Sequence, residues 1–129
     1  MKTHKFNHDL ATFQFNEEKG IIKLDGRFIS LDPEGVWGNI ISNSERVASS
    51  SDRLRIDLNM EYISSSDIKF LYLLMKTLMN AKKAHAKFVV NWSYEPYDND
   101  HLELGKLIQD SMSGNLKFQF IEEWNQAAA

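Results

Sequence analysis

The chain changes character within Glu61–Lys69, EYISSSDIK, where an alternating strand gives way to a long apolar helix. Three hydroxyls and one carboxylate occupy this junction, on Ser64, Ser65, Ser66 and Asp67. The first N–H groups of a helix have no partner inside the helix. Residues at such a position can therefore cap the helix, hold an anion or present a hydroxyl for phosphorylation.

The segments around the junction have clear periodicities. Residues 54–60 alternate between apolar and polar side chains, which predicts a strand with one buried and one wet face. Residues 66–84 carry apolar side chains at helical spacing and predict the second helix. Alternation over 88–94 and 116–120 predicts two further strands. The capping-box spacing of Asp100 and Glu103 starts a third helix between them.

The first third of the chain predicts a hairpin followed by a helix. Two short alternating runs, 12–15 and 20–24, are separated by four polar residues, which is typical of a hairpin. Asp32 followed by Pro33 marks the start of the first helix, whose apolar residues recur at helical spacing to about Ala48. Residues 1–10 show no period, and we interpret them as a lead-in without regular structure.

The predicted order of elements is therefore β-β-α-β-α-β-α-β. Helix-linked strands imply crossover connections and a mixed, mostly parallel sheet. The strands alternate instead of being continuously apolar, so we expect the helices on one face of the sheet and a partly wet face opposite. This is a two-layer α/β fold. One domain is expected over residues 1–126, and the alanines at 127–129 are interpreted as a cloning remnant.

Composition limits the classes of function. The chain has 129 residues, a formal net charge of −3 and no cysteine. No basic stripe exceeds two adjacent lysines, which argues against a nucleic-acid partner. No apolar run is long enough to span a membrane, and the polar N-terminal sequence has no signal-peptide core. We therefore expect a cytoplasmic protein, monomeric or homodimeric, without membrane insertion.

The residues that could catalyse a reaction or bind a metal form weak patterns. His4 and His8 have i,i+4 spacing but lie outside any helical pattern and lack a third ligand. Asp98, Asp100 and Glu103 lack the glycine and bidentate glutamate of a calcium loop. No phosphate loop, nucleophile elbow or HExxH motif occurs. We expect no enzyme, metal or cofactor; a small hydrolase or nucleotide-binding protein that uses the acidic loop stays open as an alternative.

The serine cluster holds more capping-type residues than one helix needs. Ser66 or Asp67 is expected to cap the second helix, because the cap immediately precedes the first turn. Ser65 would then lie one step outside the helix with its hydroxyl facing solvent. Phe70 and Leu73 are apolar beyond the core stripe of this helix. The helix is either deeply buried or presents a partner or dimer surface beside the serines.

Two motifs carry a family resemblance. Residues 57–66, DLNMEYISSS, are similar to a D-L-x(3)-Y-hydrophobic-N-T-S-S signature, and residues 92–105 follow a W-x-Y-E-x-x-D-x-D-x-x-E-x-G run. Gly26 and Pro33-Glu34 match a G-x-S-Y-P-E segment more loosely. The chain thereby resembles STAS domains of the anti-sigma-factor-antagonist type, and more specifically the SiaC family of regulatory phosphoproteins, over about residues 12–122.

The resemblance implies a partner-switching protein. In such families a serine/threonine kinase with a histidine-kinase-like ATPase fold phosphorylates the junction, and a PP2C-type phosphatase removes the phosphate. The unphosphorylated protein binds and activates a diguanylate cyclase, which raises cyclic-di-GMP and favours biofilm. The phosphoacceptor falls on Ser65, surrounded by Ser64, Ser66 and Asp67. An anti-sigma-factor antagonist in a stress or sigma cascade is the alternative that the broader resemblance leaves open.

A partner-binding surface is also expected at the junction. Right-handed crossovers bring the carboxyl ends of the parallel strands to one edge of the sheet. The loop after the 88–94 strand should therefore lie at the same edge as Ser65. The residues expected to contact a partner come from the second helix and from this loop: Phe70, Leu73, Tyr94, Glu95, Asp98 and Asp100.

Overall fold

The computed structural model describes residues 3–8, 10–81, 87–112 and 116–123. The described elements, in chain order, are β1 (Thr3–His8), β2 (Ala11–Asn16), β3 (Ile21–Phe28), α1 (Pro33–Ser50), β4 (Arg53–Ile63), α2 (Ser65–Ala81), β5 (Lys87–Tyr94), α3 (Asn99–Ser111) and β6 (Lys117–Glu122). Two expectations fall outside the described residues: the extension of the second helix to residue 84, and the alanines at 127–129.

The strands form one six-stranded sheet whose spatial order, β1-β2-β3-β4-β5-β6, is the order of the chain. The first three strands are antiparallel neighbours, and β3, β4, β5 and β6 are parallel. Each crossover steps in the same direction, so right-handed connections place all three helices on one face. The mixed, mostly parallel sheet and the two-layer architecture predicted from the pattern are confirmed.

The expectation of a lead-in without regular structure is wrong. Residues 3–8 form the edge strand β1, which pairs antiparallel with β2 from Thr3↔Asn16 to His8↔Ala11. Its described side chains are exposed, so no alternation of apolar residues marks the strand. Backbone pairing with β2 creates it. Phe6 packs against Phe15 at 6.1 Å between ring centroids.

Alternation along the strands separates a core face from an open face. In β4 the core face carries Leu54, Ile56, Leu58 and Met60, all buried against the helices. The intervening Arg55, Asp57 and Asn59 lie on the open face, which is partly wet. The helices close the core with buried residues of α1, α2 and α3: Trp37, Ile40, Val47, Leu71, Leu74, Met75, Leu78 and Ile108.

The structure confirms the predicted start of α1 and corrects the predicted start of α3. Asp32 caps α1, its Oδ1 accepting from the Gly35 N–H at 3.2 Å, and Pro33 occupies the first turn as predicted. For α3 the expected cap at Asp100 is wrong. Asp98 caps the helix by accepting from the His101 N–H at 3.0 Å. The helix therefore begins at Asn99, which leaves Asp100 exposed in the first turn.

Candidate functional site

The junction between β4 and α2 is capped by Ser64. Its Oγ accepts from the Asp67 N–H at 3.2 Å, and α2 begins at Ser65. The backbone N–H of Ser64 donates to the Phe28 carbonyl at 2.9 Å, which fixes this residue at the end of the sheet. The prediction that Ser66 or Asp67 caps the helix is wrong, because the pairing with β3 holds Ser64 in the cap position. Ser65 is thus the first helical residue and does not precede the helix.

Asp67 is a buried carboxylate with donors from three segments. Its side chain is fully buried and accepts from the Ser64 hydroxyl at 2.6 Å, the Ser30 N–H at 3.1 Å and the Trp37 indole N–H at 2.8 Å. Burial raises the pKa of Asp67, but the hydrogen bonds from Ser64, Trp37 and Ser30 outweigh burial and hold that pKa below its ordinary value. The charged carboxylate therefore ties α2 to α1 and to the β3–α1 loop.

The other two serines of the junction are available to solvent. Ser65 and Ser66 are both exposed, and neither hydroxyl has a hydrogen-bond partner among the described residues. Residues four apart on a helix share a face, so Ser65 lies in line with the exposed residues Lys69 and Leu73. A charge placed on Ser65 would lie at the free N–H groups of the helix start, and Lys69 follows on the same face with its ammonium 5.3 Å from the centroid of the Phe70 ring.

Apolar side chains are exposed on the segments that meet at the junction. Leu73 is 50% exposed, whereas Phe70 is only partly exposed and packs against the core. Ile29 and Leu31 flank Ser30 in the β3–α1 loop, and Leu31 is 96% exposed. We did not predict these two loop residues from the sequence. The available signal was a pair of apolar residues between a strand and a helix cap.

The acidic loop lies at the same edge of the sheet as the junction. The strands β4 and β5 are parallel, so Tyr94 and Ser64 follow the carboxyl ends of neighbouring strands. β4 continues to Ile63, five residues past its last pairing with β5. The junction therefore lies further along the strand direction than the loop that follows β5. Among the described residues, no hydrogen bond or ion pair joins Ser65 to Glu95.

The residues of the loop itself have different environments. Glu95 and Asp100 are exposed, whereas Tyr94 and Asp98 are partly buried. Asp98 is engaged as the cap of α3. The Tyr94 carbonyl accepts from the Glu123 N–H at 2.9 Å, which continues the ladder beyond β6. Glu95 in the loop and Asp100 in the first turn of α3 are therefore the carboxylates among these residues that are open to a partner.

The described residues form neither a metal-binding cluster nor a membrane-spanning helix. Within these residues, no group of three or more His, Asp or Glu side chains is placed to hold a metal ion. His101 is buried, and its ring stacks on that of Trp92 with 4.8 Å between centroids. No helix in the described ranges has both the length and the apolar character needed to cross a membrane.

Comparison with known proteins adds a family and several structural relatives. The family model described as SiaC family regulatory phosphoprotein matches residues 5–123. No curated protein matches the chain significantly. A similar chain occurs in the complex of the diguanylate cyclase SiaD with its activator SiaC from Pseudomonas aeruginosa, with TM-score 0.81 and 18% identity over 95% of this chain and 100% of that chain.

Two further structures from Pseudomonas aeruginosa are similar. SiaC matches with TM-score 0.78 and 19% identity over 93% of this chain and 99% of that chain. Apo-SiaC matches with TM-score 0.79 and 19% identity over 96% of this chain and 100% of that chain. At these identities the structural likeness establishes a shared fold.

Proposed function

Because the chain belongs to the SiaC family of regulatory phosphoproteins, we propose that it is a partner-switching module controlled by phosphorylation of Ser65. The unphosphorylated form binds and activates a diguanylate cyclase. A serine/threonine kinase with a histidine-kinase-like ATPase fold adds the phosphate, and a PP2C-type phosphatase removes it. The module acts in the cytoplasm, with no catalytic activity, metal or cofactor of its own. The observation that supports this proposal is the exposed Ser65 hydroxyl at the start of α2, next to Ser64, which caps the helix.

The three hydroxyls of the junction are not equivalent as acceptors. The Ser64 hydroxyl donates to the buried carboxylate of Asp67, so a phosphate there would replace a donor by a dianion against a buried charge. Ser66 is exposed, but four residues further along the helix lies the partly buried Phe70. Lys69 lies within one helical turn of both Ser65 and Ser66. The contacts therefore disfavour Ser64, and the family motif selects Ser65 over Ser66.

Phosphorylation would change what can dock while leaving the fold in place. A phosphate adds about −1.5 to −2 charges, which a helix N-terminus stabilises. The group would lie at the start of the helix face that carries the exposed Leu73, and two residues before Asp67, which bonds to Ser30 between the exposed Ile29 and Leu31. A partner that covers these side chains must then desolvate the dianion. A coupling of about 1–3 kcal/mol, or about 5- to 150-fold in affinity, is typical of such a switch.

The first experiment identifies the partners and tests the acceptor. The wild-type chain is used as bait for affinity capture from an extract of its source cells, and the captured kinase is then incubated with purified variants. Intact-mass measurement should show one added phosphate on wild type and on the matched control Ser66→Ala, but none on Ser65→Ala. Full phosphorylation of Ser65→Ala would contradict the assignment.

The second experiment measures the switch with the captured cyclase. Ser65→Ala should bind the cyclase as wild type does, whereas Ser65→Asp should bind about 5- to 150-fold more weakly. Ser66→Asp is the control for a charge at the next residue and should have a smaller effect. Equal affinity of Ser65→Asp and wild type would refute the switch. Capture of an anti-sigma kinase without any cyclase would indicate the anti-sigma-factor-antagonist function.

A further inference from the structure

A groove crosses the open face of the sheet near the amino ends of the parallel strands, whereas Ser65 lies near their carboxyl ends. It lies at the amino ends of β4 and β5 and is bordered by the β2–β3 turn and the α1–β4 connection. Its volume is about 860 Å³, which is within the range of small-molecule sites. Neither the phosphorylation switch nor the acidic loop uses this groove.

The groove concentrates positive charge in a chain of negative net charge. Its lining carries Lys19, Arg53, Arg55 and Lys87 against two carboxylates, Glu18 and Asp52, whereas the whole chain has a net charge of −3. Arg55 is paired with Asp57 at 3.1 Å. In the described part of the chain, no ion pair engages the other three cations. They are exposed and available to an anion.

Two of these cations are direct neighbours across the sheet. Arg53 is opposite Lys87 in the β4–β5 register, and Arg55 follows two residues later on the same face. Like charges directly opposite each other destabilise a strand pair. An anion held between them would remove this repulsion. The repulsion between Arg53 and Lys87 therefore destabilises the sheet at the position where a bound phosphate would remove the repulsion.

The turn that carries Lys19 is tightly held. Gly20 has a φ of +69°, and its N–H donates to the Asn16 carbonyl at 3.0 Å. The Arg55 N–H donates in turn to the Gly20 carbonyl at 2.8 Å, which fixes the turn against β4. Lys19 is thereby presented to the groove from a backbone of defined conformation.

The floor of the groove combines apolar side chains with a guanidinium and an amide. Ile21 and Val89 are half-buried and lie on either side of Arg55 in one cross-strand row. In the next row, Asn91 donates from Nδ2 to Asp57 at 2.8 Å, and its Oδ1 has no partner among the described residues. Half-buried apolar side chains beside a guanidinium, an amide and further cations suit a flat ring with polar edges that carries phosphates. We propose that this groove binds a nucleotide, with the phosphates on Lys19, Arg53 and Lys87 and the base over the row of Ile21, Arg55 and Val89.

The test is calorimetric titration of the full chain with ATP, GTP and inorganic pyrophosphate. Saturable binding of at least one nucleotide is expected, about fivefold or more tighter than pyrophosphate, because only a nucleotide also covers the apolar side chains of Ile21 and Val89. Absence of saturable binding of every probe at millimolar concentration would overturn the proposal. Pyrophosphate binding as tight as that of both nucleotides would overturn the placement of a base.

Charge-matched variants locate the site. The double variant Arg53→Gln/Lys87→Gln should weaken nucleotide binding at least about tenfold, since two charge-assisted contacts are lost. The control Lys76→Gln/Lys106→Gln removes the same charge from exposed positions of α2 and α3 and should bind within about twofold of wild type. An equal loss in both double variants would refute the groove as the site. Lys19→Gln, which alters no sheet pairing, repeats the test if the double variant unfolds.

The nucleotide site is independent of the proposed switch. Ser65 and the groove lie at opposite edges of the sheet, so Ser65→Ala should retain wild-type nucleotide affinity. Failure of Ser65 phosphorylation would therefore leave the groove proposal standing, and a groove that binds no nucleotide would leave the switch standing.

Discussion

The carboxylate of Asp67 joins segments that are distant in sequence. Ser64 lies beside it in the junction, whereas Trp37 and Ser30 lie 30 and 37 residues earlier. A buried charge is tolerated only when its hydrogen-bonding capacity is used, and these three donors supply that. The position of the β3–α1 loop relative to Ser65 therefore depends on this side chain.

We expect Asp67→Asn to lower the free energy of unfolding by about 2–4 kcal/mol, because an amide N–H would face one of the existing donors and leave it unpaired. The measurement is urea denaturation at neutral pH. Asp100→Asn, an exposed acid in the first turn of α3, is the matched control and should change stability by less than about 0.5 kcal/mol. Similar losses in both variants would show that the buried contacts of Asp67 contribute little.

The pKa of Asp67 gives this stabilisation a pH dependence. Its folded-state pKa lies below the ordinary value of 3.8, so the contribution is fully present above that value. It is lost as pH falls through the lower folded-state pKa. The difference in stability between wild type and Asp67→Asn should therefore be constant at neutral pH and shrink in strong acid. A difference that grows below pH 4 would contradict this sign.

Some properties of the site could be predicted from the sequence and others could not. Four capping-type residues in a row indicate that a hydroxyl remains free, and Ser65 is indeed exposed. The identity of the cap depended on the bond from Ser64 to Phe28, a contact between strands that local pattern does not reveal. The donors to Asp67 also come from distant segments. The position of Asp67 at the start of a helix therefore suggested a cap, although its buried carboxylate in fact joins segments that are distant in sequence.

The contact between α3 and β5 depends on the absence of a side chain at Gly105. A Cβ at this position would lie 2.7 Å from atoms of the Trp92 ring. The ring is held by its N–H, which donates to the His101 carbonyl at 3.1 Å, and by stacking on His101. A rigid indole cannot move aside cheaply, so the helix packs closely only because residue 105 is glycine.

Gly105→Ala should therefore destabilise the protein by about 1–3 kcal/mol through overpacking. The matched control is Gly38→Ala in α1, where nothing lies within 4 Å of an added Cβ. Higher helix propensity should make that variant more stable by up to about 1 kcal/mol. Both are measured by denaturation followed by tryptophan fluorescence. A Gly105→Ala protein as stable as Gly38→Ala would exclude close packing on Trp92.

Some strands and helices could be predicted from their sequences more accurately than others. β4 and α2 have strong periodicity because one face of each is buried, and both elements were predicted. The start of each was placed within one residue, but β4 continues three residues past its predicted end at residue 60. β1 was missed because its described side chains are exposed, so burial imposes no pattern on it. The start of α3 was displaced by two residues because Asp98 and Asp100 are both good caps. Local chemistry alone does not choose between them.

The whole molecule is a sheet in which each strand pairs with the strand before it in sequence. The central strands β3 and β4 have neighbours on both sides and are covered by helices, whereas β6 is an edge strand paired only with β5 among the described residues. Stability is therefore expected to be graded from the centre of the sheet to its edges.

Native-state hydrogen exchange measures this gradient. Amides of β4 should exchange through global unfolding and be the slowest, whereas amides of β6 should exchange through a smaller opening that releases the edge. Asp67→Asn should accelerate exchange in β4 and leave the edge opening of β6 nearly unchanged, because the hydrogen bonds of Asp67 to described residues come from Ser30, Trp37 and Ser64, which lie outside β6. Uniform protection across all six strands would show that the sheet opens only as one unit.

The coincidence of strand order and chain order has a consequence for synthesis. A growing polypeptide leaves the ribosome from its N-terminus, and here every strand can join an edge that has already emerged. No strand must wait for a partner that is translated much later, so unpaired edges are short-lived and loop closures are small. The nascent chain can be assembled strand by strand as it is translated, which limits its exposure to aggregation before the last helix appears.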